Sequence, residues 1–308
     1  MNKTYRHIIP MLAAAALMFS CGSDETVSTS STGLQPILLS GSISQSQQSA
    51  TRAATTLYDS FYGGEQIDVS IYNGSSVDAN KVIVKESNVY TIASDGTMTP
   101  PSGMEPYFPM TANGQVTIRA SYPHSDNLAS TTVTVSADQT SDDSYKAGEL
   151  LWATASPTRT TGTTAVQLTF HHRMAKIVVN LTSRSGVPNL PTTVKLLPFK
   201  PTVTLDKSTG GVTTSGEVTP IVMSANGAAM VPPQTITANT PIFEILTPQG
   251  DIAQYAPPTA LEFKPDYVYT YDVQVDMRMI IVTTSITTWG TPSTEHTFSG
   301  DVIGEQWS

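Results

Sequence analysis

From residue 66 onward, apolar and polar side chains alternate along the chain with a period of two. Ile67, Val69 and Ile71 are separated by Asp68 and Ser70, Val116 and Ile118 by Thr117, Val133 and Val135 by Thr134, and Val166, Leu168 and Phe170 by Gln167 and Thr169. Val82 and Val84 repeat the pattern, as do Ile177, Val179 and Leu181. In residues 267–277, Tyr267, Tyr269, Tyr271, Val273, Val275 and Met277 form one face, and Val268, Thr270, Asp272, Gln274 and Asp276 the other. Successive side chains of a strand point to opposite sides, so each run predicts a strand with one face toward a core. A run as long as 267–277 without a slip also pins its register. The turn dipeptides Asn73-Gly74, Asp95-Gly96, Asn113-Gly114, Gly210-Gly211, Asn226-Gly227 and Gln249-Gly250 fall between runs, where antiparallel strands need them. No long stretch keeps a helical period; residues 146–151 predict a single turn of helix. The pattern predicts an all-β chain. Its 308 residues exceed one sandwich of about 100, which implies two antiparallel β-sandwiches in tandem that meet near residues 171–176.

Composition narrows the function classes. The chain carries 45 threonines, 21 prolines and 20 glycines, which favour strands and turns over helices. With 16 basic against 25 acidic residues and a net charge of −9, it has no basic excess to collect phosphates, so nucleic acid is a poor partner. The single cysteine, Cys21, leaves no internal disulfide framework and no multi-cysteine metal site.

Residues 1–20 have the form of an export signal: Lys3 and Arg6, then an apolar stretch at 10–19 that is too short to span a bilayer. Cys21 follows Ser20 directly, an arrangement that resembles bacterial lipoproteins, in which the cysteine becomes the lipidated first residue. The acids of Gly22-Ser23-Asp24-Glu25 resemble the tag that sends lipoproteins of Bacteroidales-type bacteria to the outer face of the outer membrane. Removing residues 1–20 takes away two basic residues and no acid, leaving 14 against 25 and a net charge of −11. Anionic headgroups repel such a surface, so attachment would rest on the lipid. Residues 23–33 are polar and of low complexity, a flexible tether reaching roughly 35 Å when extended. An apolar segment at 34–39 follows, then a polar run at 40–50 and the isolated Thr51-Arg52-Ala53.

Three stretches resemble the fimbrillin family, the Mfa-like pilins of Bacteroidales-type bacteria. The first runs from Thr51-Arg52-Ala53 through Phe61-Tyr62-Gly63-Gly64 into the strand at 66–72. The second is Leu168-Thr169-Phe170-His171-His172-Arg173-Met174-Ala175-Lys176-Ile177-Val178-Val179. The third is the tyrosine strand at 267–275 with Ile286-Thr287-Thr288-Trp289. The resemblance implies two transthyretin-like β-sandwiches, export as an outer-membrane lipoprotein and assembly into surface fimbriae by strand exchange with other fimbrial subunits. It further implies that a trypsin-like, Arg-specific protease cuts between Arg52 and Ala53, and that Leu34, Ile37, Leu38, Leu39 and Ile43 form the strand that leaves. The expected divisions are a signal at 1–20, a tether and removable strand at 21–52, and sandwiches at 53–171 and 172–308. No acid lies between Glu25 and Asp59, so Arg52 is unshielded from an Arg-directed protease.

Other candidate chemistry has plain readings. Adjacent His171 and His172 face opposite sides of a strand and cannot share one metal, which predicts one packed and one solvent-facing histidine at the junction. Asp138, Asp142 and Asp143 lack the ligand spacing and bracing glycine of a calcium loop. Tyr267, Tyr269 and Tyr271 could stack on a sugar, but their period points them at a core. No Gly-x-Ser-x-Gly elbow or phosphate loop is present, and nothing calls for a cofactor. The expectation is a non-enzymatic fimbrial subunit. The alternative is a monomeric surface lipoprotein that binds glycans or host proteins.

Overall fold

Alternation becomes strand wherever its pattern is clear. The computed structural model describes residues 35–44, 60–73, 82–109, 114–160, 164–184, 187, 189–289 and 296–300, with the backbone alone at 73, 82–87 and 296–300. The chain forms β1 (Leu39–Ile43), β2 (Glu65–Asn73), β3 (Val82–Ile92), β4 (Thr97–Thr99), β5 (Val116–Tyr122), β6 (Ser130–Thr134), β7 (Asp138–Gln139) and the short helix α1 (Asp142–Lys146). Next come β8 (Leu151–Ala155), β9 (Val166–His172), β10 (Ala175–Ser183), β11 (Thr193–Leu196), β12 (Thr202–Asp206), β13 (Val212–Ser215), β14 (Ile221–Ser224) and β15 (Ala228–Val231). The remainder is β16 (Gln234–Ile236), β17 (Phe243–Leu246), β18 (Ile252–Tyr255), β19 (Leu261–Phe263), β20 (Tyr267–Val275), β21 (Ile280–Thr288) and β22 (His296–Gly300).

Seven strands in the order β1-β4-β3-β2-β5-β8-β9 close into a barrel. The others form sheets ordered β15-β10-β20-β21-β22, β18-β17-β11-β14-β7, β13-β12-β6 and β16-β19. Two apolar cores correspond to this division. The barrel encloses Ile67, Val69, Ile92, Ile118, Leu168 and Phe170, among others. The larger core holds Ile177, Val179, Phe199, Phe243, Tyr269, Tyr271 and Trp289. The chain does not finish one before starting the other. β6 pairs with β12 and β7 with β14, and Val133, Val135, Tyr145 and Leu150 pack into the second core. The chain then returns to the barrel through β8 and β9 and crosses for good at β10.

Four turn dipeptides stand at strand joints: Asp95-Gly96 between β3 and β4, Gly210-Gly211 between β12 and β13, Asn226-Gly227 between β14 and β15, and Gln249-Gly250 between β17 and β18. Gly74 and Asn113 of the other two lie outside the described residues.

Local details depart from the pattern for identifiable reasons. The helical turn falls at Asp142–Lys146 rather than 146–151, because Ser141 caps it by accepting from Ser144 N and two acids occupy its first turn, while Leu151 already begins β8. β20 ends at Val275 rather than continuing to Met277, since Asp276 N bonds to Met279 O and turns the chain into β21. β5 is covered on both sides, so that Thr117, Arg119 and Ser121 on its polar face are also buried. β1 runs into the expected polar stretch, taking in Ser40, Gly41 and Ser42.

Candidate strand-exchange site

β1 closes the barrel by lying between β4 and β9. It runs parallel to β9 over all five residues, from Leu39 opposite Val166 to Ile43 opposite Phe170. Against β4 it pairs only at Leu39–Met98 and Ser40–Thr97. The ladder continues beyond the strand: Ile37 N donates to Pro106 O at 2.8 Å, Phe108 N to Gln35 O at 2.9 Å and Ser44 N to Phe170 O at 2.8 Å. Ile37, Leu39 and Ile43 point inward with 3%, 3% and 5% exposure, whereas Leu38 points outward at 46%. Burying three aliphatic side chains stabilises the seated strand by up to about 5–9 kcal/mol. Leu34 lies outside the described residues, as do Cys21, Arg52 and Ala53. The segment carrying Arg52 therefore connects β1 to β2.

At the centre of β1 the barrel wall is shallow. A Cβ on Gly41 would come within 2.9 Å of both Ile92 Cδ1 and Phe170 Cε2 and within 3.3 Å of Met98 Sδ. Gly41 N donates to Gly96 O at 2.8 Å. Gly96, with φ of +87°, has no room for a side chain either, because its Cβ would run into Gly41 O. Two glycines thus let β1 and the β3–β4 turn meet backbone to backbone.

The C-terminal end of β1 touches the barrel's junction with the second core. Ser44 Oγ lies 3.4 Å from Asp266 Oδ1, and the same carboxylate accepts from His171 Nδ1 at 2.9 Å and from His172 N at 3.3 Å. The two histidines face opposite ways, as adjacent strand residues must. His171 is 46% exposed at its side chain, while His172 is fully buried and donates from Nδ1 to Glu149 at 3.0 and 3.1 Å. Trp289 stacks on the other side of His172, and its own N donates to Asp266 O. Arg173 lies over the Trp152 ring at 5.0 Å, and burial draws its guanidinium below its ordinary pKa against the opposing pull of Asp266.

A second polar cluster joins the two parts through Asp68 of β2. Asp68 is buried, and it accepts from His124 Nδ1 at 2.6 Å, Lys207 Nζ at 2.8 Å and Ser125 N at 2.9 Å. Lys207 also donates to Ser125 O and Asn127 O, at 3.0 and 2.6 Å. Glu149, Asp266, Asp68 and Lys207 carried no signal in the sequence, since each meets partners far away in the chain. Among the described residues no group of three or more His, Cys, Asp or Glu could hold a metal ion. Asp138 accepts from Thr140, and Asp142 and Asp143 form the first turn of α1. Tyr269 and Tyr271 are buried and Tyr267 half-buried, which leaves no tyrosine platform on that face.

A family model described as fimbrillin-like matches residues 51–289. No curated protein matches the chain. A candidate cell-adhesion protein from Bacteroides ovatus superposes with a TM-score of 0.64 at 18% identity, covering 84% of this chain and 99% of that one. Another from Bacteroides uniformis gives 0.60 at 23% identity, covering 83% and 99%. At these identities the likeness is one of fold.

Proposed function

The chain belongs to the fimbrillin-like family, and from that premise we propose that it is a structural and adhesive subunit of a surface fimbria, assembled by strand exchange with other fimbrial subunits. The observation that carries this reading is the seating of β1. It precedes in the chain the segment that holds Arg52, it fills the seam between β4 and β9, and its inward side chains occupy apolar pockets. Taking it out leaves two strand edges with unpaired amides and carbonyls beside vacated apolar space, which an incoming strand satisfies by β-augmentation.

In this scheme the chain is exported with its signal, lipidated at Cys21 and held at the outer membrane by that anchor. A trypsin-like, Arg-specific protease then cuts between Arg52 and Ala53. Leu34, Ile37, Leu38, Leu39 and Ile43 leave with the fragment, and residues 53–308 form the polymerising body. We divide that body into two transthyretin-like sandwiches at 171/172, with β6 and β7 reaching across the division.

Mapping the N-terminus and mass of the protein recovered from the cell surface tests the proposal. A chain beginning at Ala53 and migrating as an SDS-resistant ladder supports it. A lipidated Cys21 on a protein that never polymerises overturns it in favour of a monomeric surface lipoprotein that binds glycans or host proteins.

A further inference from the structure

Lys207 Nζ lies 2.8 Å from Asp68 Oδ2, with the lysine side chain 10% exposed and the aspartate side chain 3%. Nζ also donates to Ser125 O and Asn127 O, at 3.0 and 2.6 Å. An ammonium carries three hydrogens, and these two carbonyls hold two of them. The third points at Oδ2, so when that proton crosses to the carboxylate, the lone pair left on Nζ faces the carboxyl group. The two carboxyl oxygens are held differently. Oδ2 accepts from the Ser125 amide at 2.9 Å as well as from Nζ, whereas Oδ1 accepts from His124 Nδ1 at 2.6 Å. The outer nitrogen of His124, Nε2, lies 3.5 Å from the exposed carboxylate of Asp126.

We propose that Lys207 and Asp68 condense into an isopeptide bond, a self-modification that joins β2 to the residue following β12. Nζ attacks Cγ, and His124 Nδ1–H stabilises the negative charge that develops on Oδ1. The Nζ–Cγ bond forms as the Cγ–Oδ2 bond breaks. Oδ2 leaves as water, carrying the proton first passed from Nζ and a second Nζ hydrogen. Ammonium and carboxylate thus become one amide and one water, with no oxidant, reductant or cofactor. Two properties of the site favour the reaction. Reacting groups held in contact behave as if at effective concentrations of about 10⁵–10⁸ M. The amide is neutral, so condensation also removes two charges from a place where burial makes charge costly. The two residues are 139 positions apart in the chain. In a chain with a single cysteine, their amide supplies the covalent tie between barrel and second core that an internal disulfide cannot. The inference goes beyond strand exchange and does not depend on it.

Tryptic peptide mapping of the mature protein recovered from the cell surface tests it. Trypsin cuts after a lysine whose amine is free and not after one that is acylated. The condensed chain therefore yields residues 53–81 joined to residues 196–278, lighter by one water than the two peptides together. The unreacted chain yields 53–81, 196–207 and 208–278 as separate peptides. Lys207→Arg keeps the positive charge and gives no joined peptide. His124→Ala lowers the joined fraction at least tenfold in protein whose circular dichroism matches wild type. Wild-type protein in which Asp68 and Lys207 are recovered only in separate peptides overturns the inference, and that result requires no variant to fold. A joined fraction unchanged by His124→Ala overturns the role given to His124.

Discussion

His172 lies flat against the indole of Trp289, with ring centroids 3.5 Å apart and planes 11° from parallel. The two residues come from stretches that are 117 positions apart, and each stretch on its own looks like an ordinary strand end. Glu149 holds the imidazole from one edge, and Lys176 Nζ lies 5.2 Å from the indole centroid. The stack therefore ties the β9–β10 corner to the end of β21 at the point where the chain passes from the barrel to the second core.

Trp289 is fully buried in that core. Trp289→Ala removes a large side chain and leaves His172 without its stacking partner, and the expected loss is about 4 kcal/mol of unfolding free energy. Urea denaturation measures it. A shift below about 1 kcal/mol would show that the neighbours collapse into the space and that the stack contributes little.

The Asp68–Lys207 pair ties the barrel to the strand pair β12–β13 from within. Lys207→Ala leaves a buried carboxylate with only His124 and the Ser125 amide, at an expected cost of about 3 kcal/mol. Asp68→Asn combined with Lys207→Met removes the charges together and is expected to cost less than Lys207→Ala alone. A double variant as unstable as the sum of its singles would contradict this coupling.

Alkaline pH acts through tyrosine. Burial pushes Tyr90 and Tyr269 up to about 12 and holds Tyr271 well above its ordinary value. An unfolded tyrosine loses its proton near pH 10. Between about pH 10 and 12 the folded chain therefore binds more protons than the unfolded one, so this contribution to stability is whole below pH 10 and falls as pH rises. Ultraviolet titration should show Tyr90, Tyr269 and Tyr271 still protonated at pH 11 until urea is added. Simultaneous ionisation of all of them in folded protein would rule this out.

Arg52→Ala is expected to leave the protein lipid-anchored and monomeric, with the β1 segment retained. Mass spectrometry of the surface fraction and the absence of a ladder are the readouts. Normal polymer from this variant would exclude Arg52 as the cut site.

The fold class, most strand positions and four of the strand joints were legible in the sequence, because alternation and turn chemistry act over a few residues. The apolar faces of Ile67, Leu168, Val179 and Tyr271 pointed to a core, and all four are buried. The stretches at 51–72, 168–179 and 267–289 were enough to recognise the fimbrillin-like family, whose match spans residues 51–289. Tertiary structure alone decided the rest. Ser40, Gly41 and Ser42 open a polar run with no local strand pattern, yet β4 and β9 hold them in a strand, since a ladder needs backbone partners and tolerates small side chains. The polar face of β5 is buried because the fold covers both sides of that strand, which no local period can report. Asp266 meets His171, and Asp68 meets Lys207, only after strands distant in the chain have paired. Period two records which way a side chain points; what it points at depends on which strands the packed core brings alongside.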